Sequence, residues 1–530
     1  MQLTALVVVA STALLVGYVV NKIIDNRRHA AREREMGCGP IIRAPTVEPI
    51  GIVNMLRSAS ASRQKKLPEW MEEQVQQLCA AHGRPVGTIN LRTPFFCDTI
   101  FTVDPQNIQA VLALKFKDFG LGPNRTENFA PLLGNGIFAA NGKQWEHSRA
   151  LLRPQFVRSQ VSDLGLEENH VKALMAVLER HLGSDGWTSL VDLQVLFFRL
   201  TFDSATEFLF GESVNSQLGT ETSLPGGGQG VGFAKAFDSA QHTLSMGARL
   251  GSGWWMVHTP RFHRMVREIH AFVDYFVQVA VKKGADGEKT SGEETSGDKE
   301  KYVFLHALAR DTQDPKELRW QLLNILLAGR DTTASTLGWF FYTLADARYA
   351  PIFGKLRAVI LDEFGTYSNP RDITFERIKA CQYLQWCINE CLRMYPIVSV
   401  NVRTAQVDTC LPVGGGPDGR DPTYVRKGQD VAYSVHIMQR RKDLWGEDAN
   451  VFKPERWEHR RPGWDYLPFN GGPRICIGQQ FALTEIAYVV IRLMQRVDDM
   501  DGSKAGPVKH NLTLTNCPAD GVNVRLHFAE

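Results

Sequence analysis

Residues 469–478 read Phe-Asn-Gly-Gly-Pro-Arg-Ile-Cys-Ile-Gly, and this stretch carries the densest chemical signal in the chain. Its three glycines let the backbone fold tightly around the sulfur of Cys476 and turn N–H groups toward it. A helix is predicted from Gln479 onward, so the positive end of its dipole favours a thiolate at the cysteine. This arrangement is typical of a metal-ligating thiolate, here shielded by Phe469. A buried structural cysteine is the alternative for a lone residue of this type.

The same ten residues fill every fixed position of Phe-x-x-Gly-x-Arg-x-Cys-x-Gly, and the chain thereby resembles the cytochrome P450 family. The resemblance runs from about residue 85 to the C-terminus. It implies a mainly α cytochrome P450 fold, a helical heme domain with a small β-rich region. It also implies heme b as cofactor, with Cys476 as the axial ligand of the iron. Arg474, two residues before the cysteine, is expected to meet a heme propionate.

Two further segments resemble the propionate contacts of the family. Trp145 and Arg149 lie four residues apart on one face of a predicted helix and match Trp-x-x-x-Arg. Arg403 follows residues 396–402 and matches the second basic contact. Two buried heme carboxylates need cationic partners, which is the physical reason for arginines there. Without the cysteine segment, a surface position is the default for either arginine.

Glu390 and Arg393 stand three residues apart on one face of a predicted helix. Alone, such a pair is usually a solvated surface contact. The segment 452–457, Phe-Lys-Pro-Glu-Arg-Trp, adds Arg456, and the resemblance implies that the three residues form a buried triad behind the heme. Removing one member of a buried ion cluster leaves the others unpaired. We therefore expect Glu390→Ala or Arg393→Ala to abolish heme incorporation.

Residues 326–334, Leu-Leu-Ala-Gly-Arg-Asp-Thr-Thr-Ala, place an acid and two threonines inside a long apolar helix, where propensity and burial disfavour them. The structural alternative is a threonine that bonds back to the carbonyl four residues earlier and bends the helix. Ala328 and Gly329 leave room beside the helix, and Thr332 shares a face with Ala328. The segment resembles the family's Ala-Gly-x-Asp/Glu-Thr-Thr motif. This implies that Asp331, with Thr332, relays protons for oxygen activation.

Residues 2–20 carry no charge and are mostly Leu, Val and Ala, enough to cross a bilayer as a helix. Basic residues follow from Lys22, so the positive-inside rule places the body of the chain in the cytosol. A cleaved signal peptide is the alternative, weakened by the lack of a positive n-region. We expect a transmembrane anchor over 1–21, a basic, proline-containing linker over 22–50 and one heme domain over 51–530. The predicted location is the endoplasmic reticulum membrane, spanned once.

Composition narrows the function further. The 530 residues include 60 basic and 57 acidic ones without a basic block or stripe, which argues against nucleic acid as a partner. Nine cysteines without paired spacings favour buried thiols in a reducing compartment over a disulfide framework. Helical periodicity dominates the pattern, with helices predicted over 69–81, 190–209, 262–281, 320–347, 378–394 and 481–497. Short strands are predicted over 87–91, 99–103, 430–435 and 522–528, with surface loops at 226–228 and 284–301.

The electron source is expected to be a separate protein. The glycines at 134–136 and 414–416 lack the spacing of a dinucleotide-binding turn. The resemblance implies O2 as cosubstrate and NADPH-derived electrons delivered by NADPH–cytochrome P450 reductase, with cytochrome b5 as an optional second donor. The protein is thus predicted to be a heme-thiolate monooxygenase, an oxidoreductase that incorporates molecular oxygen.

The substrate class follows from a finer resemblance. Residues 135–138, 147–156, 202–212, 414–419, 470–476 and 479–482 resemble the fungal branch that hydroxylates alkanes and fatty acids. This implies attack at a terminal or near-terminal carbon of a long aliphatic chain. The same chemistry on the alkyl chain of a secondary metabolite stays open. A heme-thiolate isomerase or dehydratase, and a non-catalytic heme carrier or gas sensor, fit less well because the acid–alcohol pair at 331–332 is intact.

Overall fold

The computed structural model describes residues 2–45, 51–93, 97–157, 164–219, 230–287 and 302–529. The predicted loop at 226–228 and most of that at 284–301 lie outside the described residues. The chain is mostly helical with small sheets, as predicted. Its α-helices are α1 Gln2–Glu35, α2 Ile52–Arg63, α3 Leu67–His82, α4 Pro105–Gln109, α5 Pro123–Leu133, α6 Gly142–Leu152, α7 Gly165–Glu179, α8 Leu193–Phe210, α9 Gly230–Leu250, α10 Pro260–Gly287, α11 Phe304–Asp311, α12 Pro315–Leu344, α13 Ala350–Phe364, α14 Phe375–Ala380, α15 Gln382–Met394, α16 Val435–Met438, α17 Lys442–Trp445 and α18 Gln479–Arg496. Its strands are β1 Thr88–Thr93, β2 Cys97–Thr102, β3 Phe119–Gly120, β4 Val191–Asp192, β5 Val400–Ala405, β6 Thr409–Gly415, β7 Asp421–Val425, β8 Asp430–Ser434, β9 Val497–Asp501, β10 His510–Leu512, β11 Asn516–Pro518 and β12 Asn523–Phe528.

Helix α1 is continuous from Gln2 to Glu35, so it extends from the predicted anchor into the predicted linker. The side chains of residues 1–15, 18 and 19, which make up most of that anchor, lie outside the described residues. Within the part of the chain that is described, no helix is both long enough and apolar enough to cross a bilayer.

The chain divides into two compact units, and unit 1 comprises Met1–Arg57, Glu72–Gly120 and Asn401–Ser434. Its main sheet has the strand order β1-β2-β8-β5-β3. Strands β1 and β2 form an antiparallel hairpin, whereas β2 and β8 are parallel. Strands β6 and β7 form a second hairpin. The segment after α1 joins that hairpin through an antiparallel bridge between Ile41 and Gly415.

Unit 2 comprises Ser58–Met71, Leu121–Val400 and Val435–Glu530. Helix α12 begins where the Asp314 side chain accepts the N–H of Lys316, and Pro315 takes the first helical position. Helix α8 begins with the same device at Asp192 and ends at left-handed Gly211. Both helices bury most of their length in two large apolar clusters of this unit, which makes α12 a rigid central element.

One predicted helix, 378–394, is wrong in its continuity. The structure has α14 ending at Ala380 and α15 beginning at Gln382, with Cys381 between them at ψ 86°. Apolar side chains at Ile378, Leu384 and Ile388 face one cluster across this break. Periodicity follows the buried face and therefore passes over a single non-helical residue.

Candidate heme-thiolate site

The cysteine loop is closed by its own backbone. The N–H of Cys476 donates to the carbonyl of Phe469 at 3.0 Å, and the N–H of Ile475 donates to Gly472 at 3.0 Å. Gly472 takes a φ of 69°, the left-handed region that favours glycine. A Cβ at Gly471 would come within 2.7 Å of the Trp464 ring. Two of the loop's glycines are thus required by the turn and by close packing.

The thiol of Cys476 is open on one side. The residue is exposed, yet protein atoms surround it closely enough that desolvation raises its pKa. A hydrogen bond from the Gly478 N–H and the charge of Arg149 act in the opposite direction. Helix α18 begins three residues after the sulfur and adds its positive dipole end. The loop therefore offers a sulfur that an incoming cation would convert to a thiolate.

Four of the predicted residues lie together here. The Trp145 ring is buried, with the Arg474 guanidinium 4.4 Å and the Arg149 guanidinium 5.9 Å from its centroid. Arg149 Nη1 donates to the Ile475 carbonyl at 3.0 Å, next to the cysteine. Arg474 Nη2 donates to the Ala140 carbonyl at 3.0 Å. Two guanidinium groups thus lie against the Trp145 ring, one of them next to the cysteine, with donors able to meet carboxylates.

Phe469 and Arg403 are the two remaining residues predicted to contact the heme. The Phe469 side chain is half-buried against one apolar cluster, and its carbonyl accepts from the cysteine N–H. Arg403 belongs to unit 1, where it is buried on β5 and donates to the Val402 carbonyl at 2.9 Å. Its contact with a propionate stays a prediction.

Helix α12 has a local opening at the predicted oxygen-activation segment. Between Gln321 and Phe341, all described, every residue is buried except Ala328, Gly329 and Thr332, which are half-buried. A Cβ added at Gly329 would meet nothing within 4 Å. The Thr332 hydroxyl donates to the Ala328 carbonyl at 2.7 Å, which is the back-bond named above as the structural alternative. The back-bond and the opening occur on the same face.

Asp331 is the ionisable side chain beside this opening. Burial raises its pKa to about 6, although Arg330 lowers it. Arg330 Nη1 lies 3.3 Å from the Asp331 carboxylate, and the same guanidinium pairs with Asp238 of α9. Asp238 raises the pKa of Asp331 further. Asp331 can therefore hold or release a proton near neutral pH.

Glu390, Arg393 and Arg456 form a buried ion cluster. Arg393 donates to both carboxylate oxygens of Glu390 at 2.9 Å, and both side chains are inaccessible to solvent. Arg456 Nε donates to Glu390 at 2.9 Å. The Lys453 N–H and the Trp457 indole complete the set at 3.0 and 3.1 Å. The three predicted residues thus meet, and their role behind the heme stays a prediction.

Sequence reasoning missed two acids near the predicted residues. Asp238 lies 92 residues before Arg330, so no local spacing connects them. Glu485 lies nine residues after Cys476; burial raises its pKa to about 7, and Ser204 donates to it at 2.7 Å. An acid inside the apolar stretch 481–494 was the available signal for Glu485.

These residues fit a heme. The thiol is exposed, Arg149 lies next to it, Arg474 packs on the same Trp145 ring as Arg149, and α12 leaves space beside Gly329. Ile477 and Phe481, one and five residues after the cysteine, pack against the apolar cluster that contains Leu326 and Leu327 of α12. The sulfur loop and the opening in α12 therefore border one apolar region. A helical protein with this site belongs to the class of heme-thiolate proteins.

Comparisons with known proteins identify the family. The cytochrome P450 family model matches residues 66–510. Cytochrome P450 monooxygenase g430 of Fusarium sp is 51% identical, over 98% of this chain and 90% of that protein. Cytochrome P450 52A5 of Candida maltosa is 45% identical, over 82% of this chain and 81% of that protein. The crystal structure of the cytochrome P450DA heme domain shares the fold, with a TM-score of 0.73 at 20% identity over 93% of this chain and 97% of that one.

The chain belongs to the cytochrome P450 family. The family predicted from the cysteine segment is confirmed, and so are the fold and the fungal affinity. The protein is therefore an oxidoreductase that incorporates molecular oxygen, using thiolate-ligated heme iron and electrons from a reductase partner.

Proposed function

We propose that this enzyme hydroxylates a long-chain aliphatic substrate, an alkane or a fatty acid, at or near its terminal carbon. The carrying observation is the half-buried face of α12 at Ala328, Gly329 and Thr332, which has open space beside it. The aromatic and aliphatic cluster nearby includes Phe138 and Phe481. An apolar region with a few convergent polar groups suits a chain that offers no hydrogen-bonding handle.

Each predicted residue has a role in this proposal. The heme, when bound, supplies an iron centre that activates dioxygen. Cys476 holds the iron, while Arg149, Arg474 and Arg403 neutralise the heme carboxylates and Trp145 supports two of these arginines. Asp331 takes a proton from solvent and, with the Thr332 hydroxyl, delivers it to the half-open face of α12. The apolar cluster excludes bulk water from that face.

The finer assignments rest on the sequence. Heme b, NADPH as electron source, NADPH–cytochrome P450 reductase and optional cytochrome b5 follow from the resemblance to microsomal members of the family. Attachment to the endoplasmic reticulum membrane by one span, with a cytosolic catalytic body, is supported by the uncharged stretch 2–20 and the basic residues after it. An apolar substrate that partitions into lipid fits an enzyme anchored there.

A second candidate is the same hydroxylation on the alkyl chain of a larger metabolite. The Fusarium relative, at 51% identity over 98% of the chain, is called g430 and does not carry the number 52 of the Candida maltosa protein. That Candida protein, cytochrome P450 52A5, is 45% identical over 82% of the chain. The two candidates differ in how much bulk the site must admit beyond the target carbon.

The test is turnover of the full-length protein with purified reductase and NADPH, over alkanes, fatty acids and bulkier alkyl-bearing lipids, with mass spectrometry of products. We expect terminal or near-terminal alcohols from the linear alkanes and fatty acids, and a thiolate-type Soret shift of the reduced protein with carbon monoxide. Cys476→Ser should lose both. Oxidation confined to bulky metabolites would replace the first candidate by the second. A serine variant with full activity would remove the site assignment itself.

A further inference from the structure

A pair of cysteines in unit 1 lies outside the heme site. Cys38 follows α1 and Cys410 lies on β6, and both are half-buried. The segment carrying Cys38 is held to the β6–β7 hairpin by backbone contacts: Gly39 N–H donates to Pro422 at 3.0 Å, and Gly416 N–H donates to Pro40 at 3.0 Å. These contacts hold the backbone directly after Cys38 against the hairpin.

The two cysteines lie on backbone segments that contact each other: Ile41, three residues after Cys38, forms an antiparallel bridge with Gly415 of β6. Desolvation first, and then the charge of Cys410 and a side-chain hydrogen bond to it, raise the pKa of Cys38 to about 11. A Cβ at Gly39 would collide with the backbone of Gly416, so the two segments approach closely. Paired thiols held in this way are candidates for a disulfide, whose geometry requires close, fixed backbones.

A cation stands beside one of the sulfurs. Lys115 Nζ donates to the Cys410 sulfur at 3.0 Å and to the Cys410 carbonyl at 2.8 Å. An ammonium at this distance stabilises negative charge on the sulfur, and the thiolate is the reactive form of cysteine. Desolvation raises the pKa of Cys38 to about 11, so its thiol stays protonated at neutral pH. The ammonium contact at 3.0 Å makes Cys410 the sulfur that we expect to react first.

We propose that Cys38, Cys410 and Lys115 form an oxidation site at which hydrogen peroxide installs a disulfide between the end of α1 and β6. The Cys410 thiolate attacks one peroxide oxygen, the O–O bond breaks, and the departing hydroxide takes a proton to become water. Cys38 sulfur then attacks the resulting sulfenic acid at its sulfur. The S–S bond forms, and the leaving hydroxide takes the Cys38 proton as a second water. Two thiols are oxidised and one peroxide is reduced.

The disulfide would change how α1 is held. Noncovalent contacts between α1 and the hairpin region include a hydrogen bond between His29 and Tyr424 at 3.0 Å and an ion pair at 4.0 Å between Arg32 and Asp408, the residue before β6. Exposed ion pairs contribute little to stability. A covalent bond at residue 38 would therefore fasten the end of α1 under oxidising conditions. Cytosolic disulfides of this kind are transient and redox-sensing.

The experiment uses the full-length heme-loaded protein in detergent, treated with micromolar hydrogen peroxide, alkylated and digested with trypsin without reductant. We expect peptide 35–43 joined to peptide 404–420, two hydrogens lighter than their sum, since each contains one cysteine. The product should be absent from Cys38→Ser and Cys410→Ser. It should persist in Cys79→Ser, which removes another half-buried thiol of the same unit.

Lysine variants test the role of the cation. Lys115→Met should slow disulfide formation about tenfold or more, because it leaves the sulfur without its cationic partner. Lys117→Met, at an exposed lysine two residues away, should react like the parent. Overturning results are free alkylated Cys38 and Cys410 after peroxide treatment, a bond from Cys410 to another cysteine or to Lys115, or equal rates in the two lysine variants.

Discussion

Two buried charge clusters of unit 2 differ in how completely their carboxylates are paired. Glu390 accepts five hydrogen bonds, from two arginines, an indole and a backbone N–H. Asp331 has a single arginine at 3.3 Å, and Arg330 Nε finds no hydrogen-bond partner among the described residues. Burial raises the pKa of Asp331 to about 6. The saturated cluster suits permanent structure, whereas the under-satisfied one suits proton exchange.

The largest effect is expected from Glu390→Gln, which keeps the shape and removes the charge. Arg393 would then be buried without a counter-charge, and Arg456 would keep only Asp448, a loss of about 3–5 kcal/mol. We expect the variant, like Arg393→Ala, to lose its heme. The measurement is urea unfolding together with heme content per chain. Arg348→Ala, which breaks an exposed ion pair with Asp346, is the control and should cost less than about 1 kcal/mol. A Glu390→Gln protein with normal heme would contradict the comparison.

Asp331→Asn should lower the rate of product formation without lowering heme content. We expect heme content to be retained, while product formation falls about 100-fold, the range for loss of a proton-transfer group. NADPH consumption should fall less than product, since only the proton delivery is impaired. A variant that keeps parental product yield would remove Asp331 from the proposed relay.

The stability of the same pair should depend on pH in a defined direction. The folded-state pKa of Asp331, about 6, lies above its ordinary value of 3.8. Above pH 6 the protein therefore buries a charged carboxylate, and this cost disappears as the folded state takes up a proton between pH 6 and 4. The parent should gain about 3 kcal/mol relative to Asp331→Asn as the pH falls from 8 to 3. Urea midpoints across this range measure it, and a gain of the opposite sign would be inconsistent with the raised pKa.

Asp238→Asn tests the electrostatic effect of α9 on Asp331, and the expected change in rate is smaller. Asp238 raises the pKa of Asp331, and its carboxylate shares the Arg330 charge, so the variant should lower that pKa. The pH profile of product formation should therefore shift toward lower pH. At pH 7 the rate should fall about tenfold for each unit by which the pKa of Asp331 is lowered. Asp274→Asn is the matched control, since Asp274 pairs with Arg319 of α12 at 2.6 Å. Equal pH profiles for the two variants would show that the charge of Asp238 does not affect the pKa of Asp331.

The sequence predicted the parts of the site that depend on short spacing. The cysteine loop, the Trp145–Arg149 pair and the Glu390–Arg393 pair each lie within one turn or one helix, so residue order alone brings them together. Asp238 and Ser204 reach their partners across 92 and 281 residues, and tertiary packing decides such contacts. Family resemblance supplied Arg456, which lies 66 residues from Glu390.

Gly329→Ala carries the smallest expected effect and tests the open side of the Asp331 cluster. The added methyl would meet nothing within 4 Å, so the variant should fold without strain and gain about 0.5–1 kcal/mol from helix propensity. Gly338→Ala on the same helix is the control. Its methyl would come within 3.1 Å of the Gln194 side chain, so its gain in stability should be smaller.

The same variant tests substrate access. If the space beside Gly329 receives substrate, Gly329→Ala should raise the KM for bulky alkyl-bearing lipids more than the KM for linear fatty acids. A Gly329→Ala protein that is less stable than the parent would mean that this face of α12 is packed, and the contrast between a closed ion cluster at Glu390 and an open one at Asp331 would lose its structural basis.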